Sequence, residues 1–329
     1  MKAAVLTDPG RIELVERAVP ELGARDVRIR VGQCGICTSE LDLWAGKALD
    51  KLPAAIGHEV AGVVEEVGAD VTTVRVGDRV AAWVGGGGFA EQLVAHERFC
   101  VPVAPEVSYP AVAEPLACVV NAVELAAPAL ADDVVIVGAG YMGNLIQLVT
   151  ALKGPRSIVV ADIRPDALQR ASQLGATRVV DTREESLEEV VLEITDGRGA
   201  DLSYEVTGSA PGLELSASVT RMSGKLCIVG YHQGGTRAIP LGEWNWMAYT
   251  IINAHFRDID TIMGGMRAGM RLVNAGVLDV SSLVTGTYPL GRIAEAFETA
   301  VAKPHGFIKA VIEPEARHGD RRSTQLTNR

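Results

Sequence analysis

The sequence has few cysteines and no long apolar run. Its five cysteines, at positions 34, 37, 100, 118 and 227, are odd in number and lack the dense spacing of a disulfide-stabilised domain. We therefore expect no structural disulfides, and metal ligation is the favoured role for any cysteine with a chemical function. Residues 1–16 alternate apolar and polar side chains without the apolar core of a signal peptide, and no later run reaches membrane-spanning length. These features predict a cytoplasmic protein that does not bind membranes.

The sequence also has fewer basic than acidic residues. Lys and Arg total 31 against 41 Asp and Glu, which gives a formal net charge of -10. An acidic chain repels nucleic acid and anionic lipid, so we expect neither partner and favour small-molecule chemistry. The apolar share of 48% is ordinary for a folded protein, and 329 residues exceed what one hydrophobic core usually supports. The sequence therefore predicts two domains.

Two patterns follow each other along the chain. Short strands are predicted at 3–6, 26–32, 60–67, 79–83 and 90–94, which indicates a β-rich domain. From residue 133, apolar strands alternate with helices at 142–152 and 165–174, and further strands are predicted at 178–181, 202–205, 225–229 and 250–254. This alternation predicts an α/β fold with a doubly wound parallel sheet of the Rossmann type. Helices at 262–275 and 293–301 and a strand in FIKAVIEP, which returns to the first domain, complete the prediction.

A dinucleotide-binding motif lies at the start of the α/β region. In GAGYMG, Gly138 suits a tight turn, Gly140 a close approach to a pyrophosphate and Gly143 helix–strand packing, with Tyr141 and Met142 between them. The alternative is that these glycines only form a turn.

Two charged residues bear on the choice of dinucleotide. Asp162 ends the next predicted strand, where a carboxylate binds the adenosine ribose and repels a 2′-phosphate. Arg164 complicates the choice, because an arginine there can receive that phosphate. We favour NAD.

A second group of motifs surrounds a metal-ligand pattern. It comprises CGICTSELDLWAG from Cys34, GHEVAGVVEEVG from Gly57, GDRV at 77–80, GGFAEQLV at 87–94 and EPLAC from Glu114. Together with the dinucleotide motif and the closing FIKAVI, they resemble the zinc-containing medium-chain dehydrogenase/reductase family over nearly the whole chain, most closely its sorbitol and threonine dehydrogenase types.

The resemblance implies a fold and a zinc site. The β-rich part becomes a GroES-like catalytic domain, for which we predict residues 1–118 and 257–313, with the Rossmann domain at 119–256 and a tail at 314–329. Cys37 and His58 match zinc ligands, Glu59 ligates the metal or lies beside it, and Glu114 matches a carboxylate of polyol dehydrogenases that binds zinc, water or substrate. Zinc accepts sulfur, nitrogen and oxygen ligands in a tetrahedral shell, and a catalytic site keeps one position open. Cys34 is assigned a buried, non-ligating role.

The chain also departs from the family pattern. The family's four-cysteine lobe is absent, since only AAWVGGGG separates GDRV from GGFAEQLV, so one catalytic zinc per chain is expected. Ser39 matches the hydroxyl that starts proton release, whereas the usual relay histidine is replaced by Asp42. Asp42 either accepts the proton or is a solvated helix residue. Glu40 replaces an aspartate and is expected to support the site.

These features predict a zinc- and NAD(H)-dependent oxidoreductase that interconverts a secondary alcohol, of polyol, sugar or cyclitol type, and its ketone by hydride transfer between the two domains. The alternatives are a zinc-free enone or quinone reductase, or a dinucleotide-binding protein without catalysis on the same fold. The apolar strand TIINAHF, at the expected sheet edge, predicts pairing with a second copy, and the resemblance implies a homodimer or homotetramer.

Overall fold

The computed structural model describes residues 1–233 and 235–314. Its strands are β1 Lys2–Asp8, β2 Arg11–Glu16, β3 Asp26–Gly35, β4 Ala54–Ala55, β5 Glu59–Val67, β6 Arg79–Trp83, β7 Gln92–His96, β8 Cys100–Pro102, β9 Asp133–Val137, β10 Ser157–Asp162, β11 Arg178–Asp181, β12 Ala200–Glu205, β13 Thr220–Ile228, β14 Thr250–Asn253, β15 Gly286–Pro289 and β16 Ala310–Glu313. Its helices are α1 Thr38–Trp44, α2 Ala113–Ala126, α3 Tyr141–Ala151, α4 Pro165–Gln173, α5 Leu187–Ile194, α6 Ala210–Ser218, α7 Leu241–Met247, α8 Ile259–Asn274 and α9 Ile293–Ala302.

The first compact unit, residues 1–112 and 284–314, is the β-rich one. Its larger sheet has the order β15-β16-β3-β5-β6-β8, with β7 also paired to β3, and a smaller sheet has the order β2-β1-β4. Buried and more exposed side chains alternate along the first part of β3. Val27, Ile29 and Val31 point into the core, while their neighbours are more exposed, as expected when one face of a strand is buried. β16 pairs antiparallel with β3, so the predicted return of the closing strand to this unit is confirmed.

The second unit, residues 113–283, contains a six-stranded sheet in the order β11-β10-β9-β12-β13-β14. All of its neighbouring strands are parallel. Every residue of the central strand β9 is buried, as expected for a parallel sheet covered on both faces. This order is the doubly wound one, and it confirms the predicted fold class.

The unit boundaries differ from those predicted. The second unit begins at Ala113 and includes α8, which we had assigned to the zinc domain. The physical reason is close packing of α8 on α2: a Cβ at Gly265 would lie 2.7 Å from the carbonyl oxygen of Ala117, and one at Gly269 2.6 Å from Leu116 Cγ. Glu114 is therefore part of the second unit. The predicted tail, apart from residue 314, lies outside the described residues.

Candidate functional site

The metal-ligand candidates of the first unit begin at the junction of β3 and α1. Cys37 is the residue before α1, in an extended conformation, and its backbone N–H donates to Glu40 Oε2 at 3.0 Å. A carboxylate in the first turn satisfies an N–H group that the helix leaves unpaired. The Glu40 side chain, 3% exposed, therefore fixes the position from which Cys37 projects its sulfur.

Glu40 also holds the second candidate ligand. Its Oε1 accepts from the Gly57 N–H at 2.6 Å and lies 3.1 Å from His58 Nδ1. Carboxylates that bind one ring nitrogen of a histidine orient the other nitrogen toward a metal. Burial lowers the pKa of His58, but hydrogen bonds to Cys37 and Glu40 and the charges of both groups raise the pKa to about 12. The surroundings of this imidazole thus favour positive charge.

Cys37, His58 and Glu59 come together in space. Their ligand atoms lie within 4.8 Å of one another, and in the described part of the chain they form the single group of three or more such donors. Glu59 is 1% exposed, and its Oε2 has no hydrogen-bond partner among the described residues. A buried carboxylate oxygen without a partner is costly unless a cation or water satisfies it. Thiolate, imidazole and carboxylate are the donors that zinc accepts, so this set fits zinc.

A lysine that the sequence analysis missed completes the surroundings of Glu59. Lys309 Nζ donates to Glu59 Oε1 at 2.7 Å, and Lys309 is 5% exposed. Burial is the largest single influence and lowers the pKa of Lys309, but the charge of Glu59, the hydrogen bond to it and the charges of Tyr109 and Cys37 together raise the pKa. A Cβ on Gly35 would overlap Glu59 Oε2, so a larger residue at the end of β3 would displace the Glu59 carboxylate. Lys309 belongs to the FIKAVI motif, but it is 250 residues from Glu59 in the sequence, so no local pattern indicates their contact.

The predicted proton-relay residues lie on α1. Ser39 is exposed and Asp42 half-buried, and their spacing of three residues places them on one face of the helix. Asp42 Oδ1 accepts from Lys47 Nζ at 2.5 Å. The carboxylate that replaces the family histidine therefore has a cationic partner.

Glu114 lies in the first turn of α2, in the second unit, and is half-buried. Its Oε1 is 4.0 Å from Cys118 Sγ, one helical turn further on. Its predicted role beside the metal stays a prediction.

The glycine motif forms the turn between β9 and α3 in the second unit. Gly138 has φ +108°, a conformation that favours glycine, and a Cβ on Gly143 would overlap the carbonyl oxygen of Gly138. A Cβ on Gly140, in contrast, would meet nothing within 4 Å. Open space beside the first N–H groups of a helix suits a pyrophosphate, so the residues present fit a dinucleotide. Tyr141 and Met142 are the first two residues of α3.

Asp162, the last residue of β10, lies next to this turn. Its Oδ2 accepts from the Ala139 N–H at 2.7 Å, and its Oδ1 accepts from the Arg164 N–H at 2.9 Å. Arg164 Nε lies 3.8 Å from Asp162 Oδ1, while Arg164 Nη1 is buried and finds no partner within the described ranges. The two residues discussed for cofactor choice thus lie side by side at the carboxyl end of β10.

Comparison with known families matches both units. Residues 23–105 match the alcohol dehydrogenase GroES-like domain, and residues 142–268 match the zinc-binding dehydrogenase family. A D-arabitol-phosphate dehydrogenase of Enterococcus avium is 30% identical over 95% of this chain and 97% of its own length. A sorbitol dehydrogenase of Bacillus subtilis is 27% identical over 95% and 97%, respectively.

Solved structures agree with these matches. The 2R,3R-butanediol dehydrogenase of Bacillus subtilis is 27% identical, with a TM-score of 0.83 over 95% of this chain and 99% of that one. The galactitol-1-phosphate dehydrogenase of Escherichia coli, at 22% identity, shares the fold with a TM-score of 0.86 over 95% and 100%. Among the described residues, no helix is long and apolar enough to cross a membrane.

Proposed function

The chain belongs to the zinc-containing medium-chain dehydrogenase/reductase family, and on that premise we propose that it is a zinc-dependent, NAD(H)-using dehydrogenase of secondary alcohols. Its homologues are named dehydrogenases, so it is an oxidoreductase that acts on alcohols. The observation that carries the finer proposal is the Cys37, His58 and Glu59 donor set with the unpartnered Glu59 Oε2.

Each residue of the first unit has a role in this proposal. Cys37 Sγ and a His58 ring nitrogen hold the metal, Glu59 binds it directly or balances its charge, and Glu40 fixes the imidazole. When bound, zinc lowers the pKa of an alcohol hydroxyl and NAD accepts the hydride from the carbinol carbon. In this scheme Ser39 Oγ accepts the hydroxyl proton while it donates its own proton to Asp42, and Asp42 releases that proton to solvent. Because Lys47 donates to Asp42 Oδ1, the other oxygen of Asp42 is the proton acceptor in this scheme.

Polyhydroxylated alcohols are the proposed substrate class. The relatives are named for D-arabitol phosphate and sorbitol, and others for L-threonine. A carboxylate such as Glu114 suits a substrate that has further hydroxyl or amino groups, since it accepts hydrogen bonds from both. Glu114 therefore binds either the metal or such a substrate group.

One experiment tests the proposal. The purified protein is assayed with NAD on sugar alcohols, cyclitols, aminocyclitols and simple primary alcohols, and its zinc is measured by elemental analysis. We expect one zinc per chain and turnover confined to secondary alcohols that have neighbouring polar groups. Full activity after exhaustive chelation would favour the zinc-free reductase, and primary alcohols as the best substrates would exclude the polyol class.

The choice of NAD over NADP rests on Asp162. A carboxylate at the end of β10 repels a 2′-phosphate, and its removal leaves Arg164, whose Nη1 is unpartnered within the described chain, to bind that phosphate. We expect Asp162→Gly to move the ratio of kcat/KM for NAD and NADP toward NADP by about tenfold or more, the equivalent of one charge-assisted hydrogen bond. An unmodified protein that uses NADP equally well would contradict this proposal.

A further inference from the structure

A buried carboxylate joins two loops at the carboxyl ends of β12 and β13. Glu205, the last residue of β12, is fully buried. Its Oε1 accepts from the Thr207 N–H at 2.6 Å, the Thr207 hydroxyl at 2.5 Å and the Gly208 N–H at 2.8 Å. Its Oε2 lies 2.9 Å from His232 Nε2. Glu205 therefore organises the loop after β12 and ties to it a histidine from the loop after β13.

The contact with Glu205 determines the chemistry of the His232 ring. An ionised carboxylate only accepts hydrogen bonds, so His232 Nε2 is the atom that donates. The other ring nitrogen, Nδ1, is buried and has no partner in the part of the chain that the structure describes. A buried ring nitrogen without a partner is costly, and at a ligand site such an atom is paired when the ligand binds.

The position of His232 in the sheet indicates which part of a ligand would pair with its Nδ1. The glycine motif and Asp162 belong to the first half of the sheet, β9 to β11, where the adenosine and pyrophosphate of a dinucleotide bind. β12 to β14 form the second half, whose carboxyl ends receive the other nucleoside. The backbone is tightly packed there, because a Cβ on Gly230 would overlap the Gly208 N–H and Glu205 Oε2. The His232 ring is thus held by Glu205 at the nicotinamide end of the sheet.

We propose that His232 binds the nicotinamide riboside half of the dinucleotide through Nδ1, which accepts a hydrogen bond from a ribose hydroxyl or the carboxamide NH2. Glu205 is the positioning residue that fixes the ring in the required tautomer. This inference rests on the proposed dinucleotide function but assigns a new contact to the site. It predicts that the loss of Nδ1 lowers the affinity only for ligands that contain nicotinamide riboside.

The test compares NADH with ADP-ribose, which lacks nicotinamide, by isothermal titration calorimetry. In His232→Gln, the amide nitrogen of Gln replaces Nε2 and donates to Glu205, but no atom replaces Nδ1. We expect the Kd for NADH to rise about three- to tenfold, the usual worth of one hydrogen bond, while the Kd for ADP-ribose and the melting temperature stay unchanged. His305→Gln, an exposed histidine of the first unit, is the matched control and should change neither affinity.

His232→Asn gives the reciprocal test. Its amide reaches the place of Nδ1 but not Glu205, so the melting temperature should fall while the preference for NADH over ADP-ribose is better preserved than in His232→Gln. Equal losses for both ligands in His232→Gln, or none, would overturn the role of His232 and leave the proposed function intact. An unmodified protein that binds neither ligand would overturn the dinucleotide proposal itself.

Discussion

Cys34 and Cys37 are three residues apart, but one lies in the apolar core and the other lies beside candidate metal ligands. Cys34 is fully buried in the core of the first unit, where burial raises the pKa of its thiol, whereas Cys37 is half-buried beside His58 and Glu59. A thiol in an apolar core stays protonated and is a poor metal ligand, because the thiolate is the ligating form. The CxxC spacing alone does not show which cysteine binds the metal. In the structure, only Cys37 lies beside other candidate ligands, whereas Cys34 lies in the core.

Alanine variants of the two cysteines test this assignment. We expect Cys37→Ala to lose its zinc, measured by elemental analysis after gel filtration, and to lose activity with it, because the remaining donors hold the ion poorly. Cys34→Ala, the matched control, should keep one zinc and lose about 1 kcal/mol of the free energy of unfolding, from the small cavity left in the core. Zinc retained by Cys37→Ala would remove Cys37 from the ligand set.

The site residues show what local sequence patterns predict and what they miss. Cys37, His58 and Glu59 were predicted because each belongs to a contiguous motif, and the structure brings them together. Lys309 and His232 were missed because their partners, Glu59 and Glu205, are distant in sequence and only the fold makes them neighbours. The sequence can therefore predict which residues are metal ligands, from their chemistry and spacing. It cannot predict which buried side chains pair with each other, because the fold brings those residues together.

At the level of elements, strand and helix interiors were predicted better than their limits. β6 and β11 have the predicted ends, but β7 is shifted by two residues, and α2 was not predicted. α2 begins at Ala113, and Pro115 lies in its first turn, where proline is well tolerated because the first N–H groups of a helix have no partner within it. β7 pairs with β3 from Asp26 to Arg30, and this tertiary pairing rather than the local pattern determines its limits.

The turn between β9 and α3 provides a matched pair of glycine variants. Gly143→Ala should lower the free energy of unfolding by about 1–3 kcal/mol, because its methyl group overlaps the carbonyl oxygen of Gly138. Gly140→Ala should leave stability within about 1 kcal/mol, since φ there is -71° and the methyl group meets nothing within 4 Å. The same methyl group fills the space expected for the pyrophosphate. NADH affinity should therefore fall in Gly140→Ala, as measured by calorimetry, and an unchanged affinity would place the pyrophosphate elsewhere.

Glu97, directly after β7, links three segments of the first unit. It accepts hydrogen bonds from Arg25, from the Thr72 N–H and from the Thr73 N–H and hydroxyl. The hydrogen bond from the Thr72 N–H is the largest influence on the pKa of Glu97 and lowers it, whereas burial raises the pKa. The bonds from Thr73 and Arg25 lower it further, to about 2. The carboxylate form is thus stabilised by folding. Its contribution to stability is complete above the ordinary glutamate pKa and is lost as pH falls from there toward about 2.

Thermal unfolding between pH 2 and 7 measures this effect. Glu97→Gln should melt below the unmodified protein at pH 7. The difference between the two melting temperatures should shrink as the pH falls from the ordinary glutamate pKa toward about 2, because Glu97 is then protonated in the unfolded chain before it is protonated in the folded one. Glu106→Gln, at an exposed position, should show no such pH-dependent difference. A difference that stays constant down to pH 2 would show that the charge of Glu97 does not matter.

At the scale of the whole molecule, β14 leaves one side of the six-stranded sheet open, since within the described strands it pairs only with β13. Its Ile251 is 45% exposed, and Trp246, in the preceding α7, is 78% exposed. Open strand edges with apolar side chains favour the addition of a second strand, and a two-fold axis lets the same edge pair with its copy. This surface is therefore the proposed subunit contact of a homodimer or homotetramer.

Light scattering at micromolar concentration tests this contact. We expect the unmodified protein to have at least twice the mass of the chain. Ile251→Arg should reduce the mass to that of one chain, because a guanidinium at the pairing edge would be desolvated and would face its own copy. Leu130→Arg is the matched control: Leu130 is 83% exposed but lies in the loop between α2 and β9, a strand that is paired on both sides, so the mass should not change. A monomeric unmodified protein, or an Ile251→Arg variant that keeps the full mass, would show that β14 is not the contact between subunits.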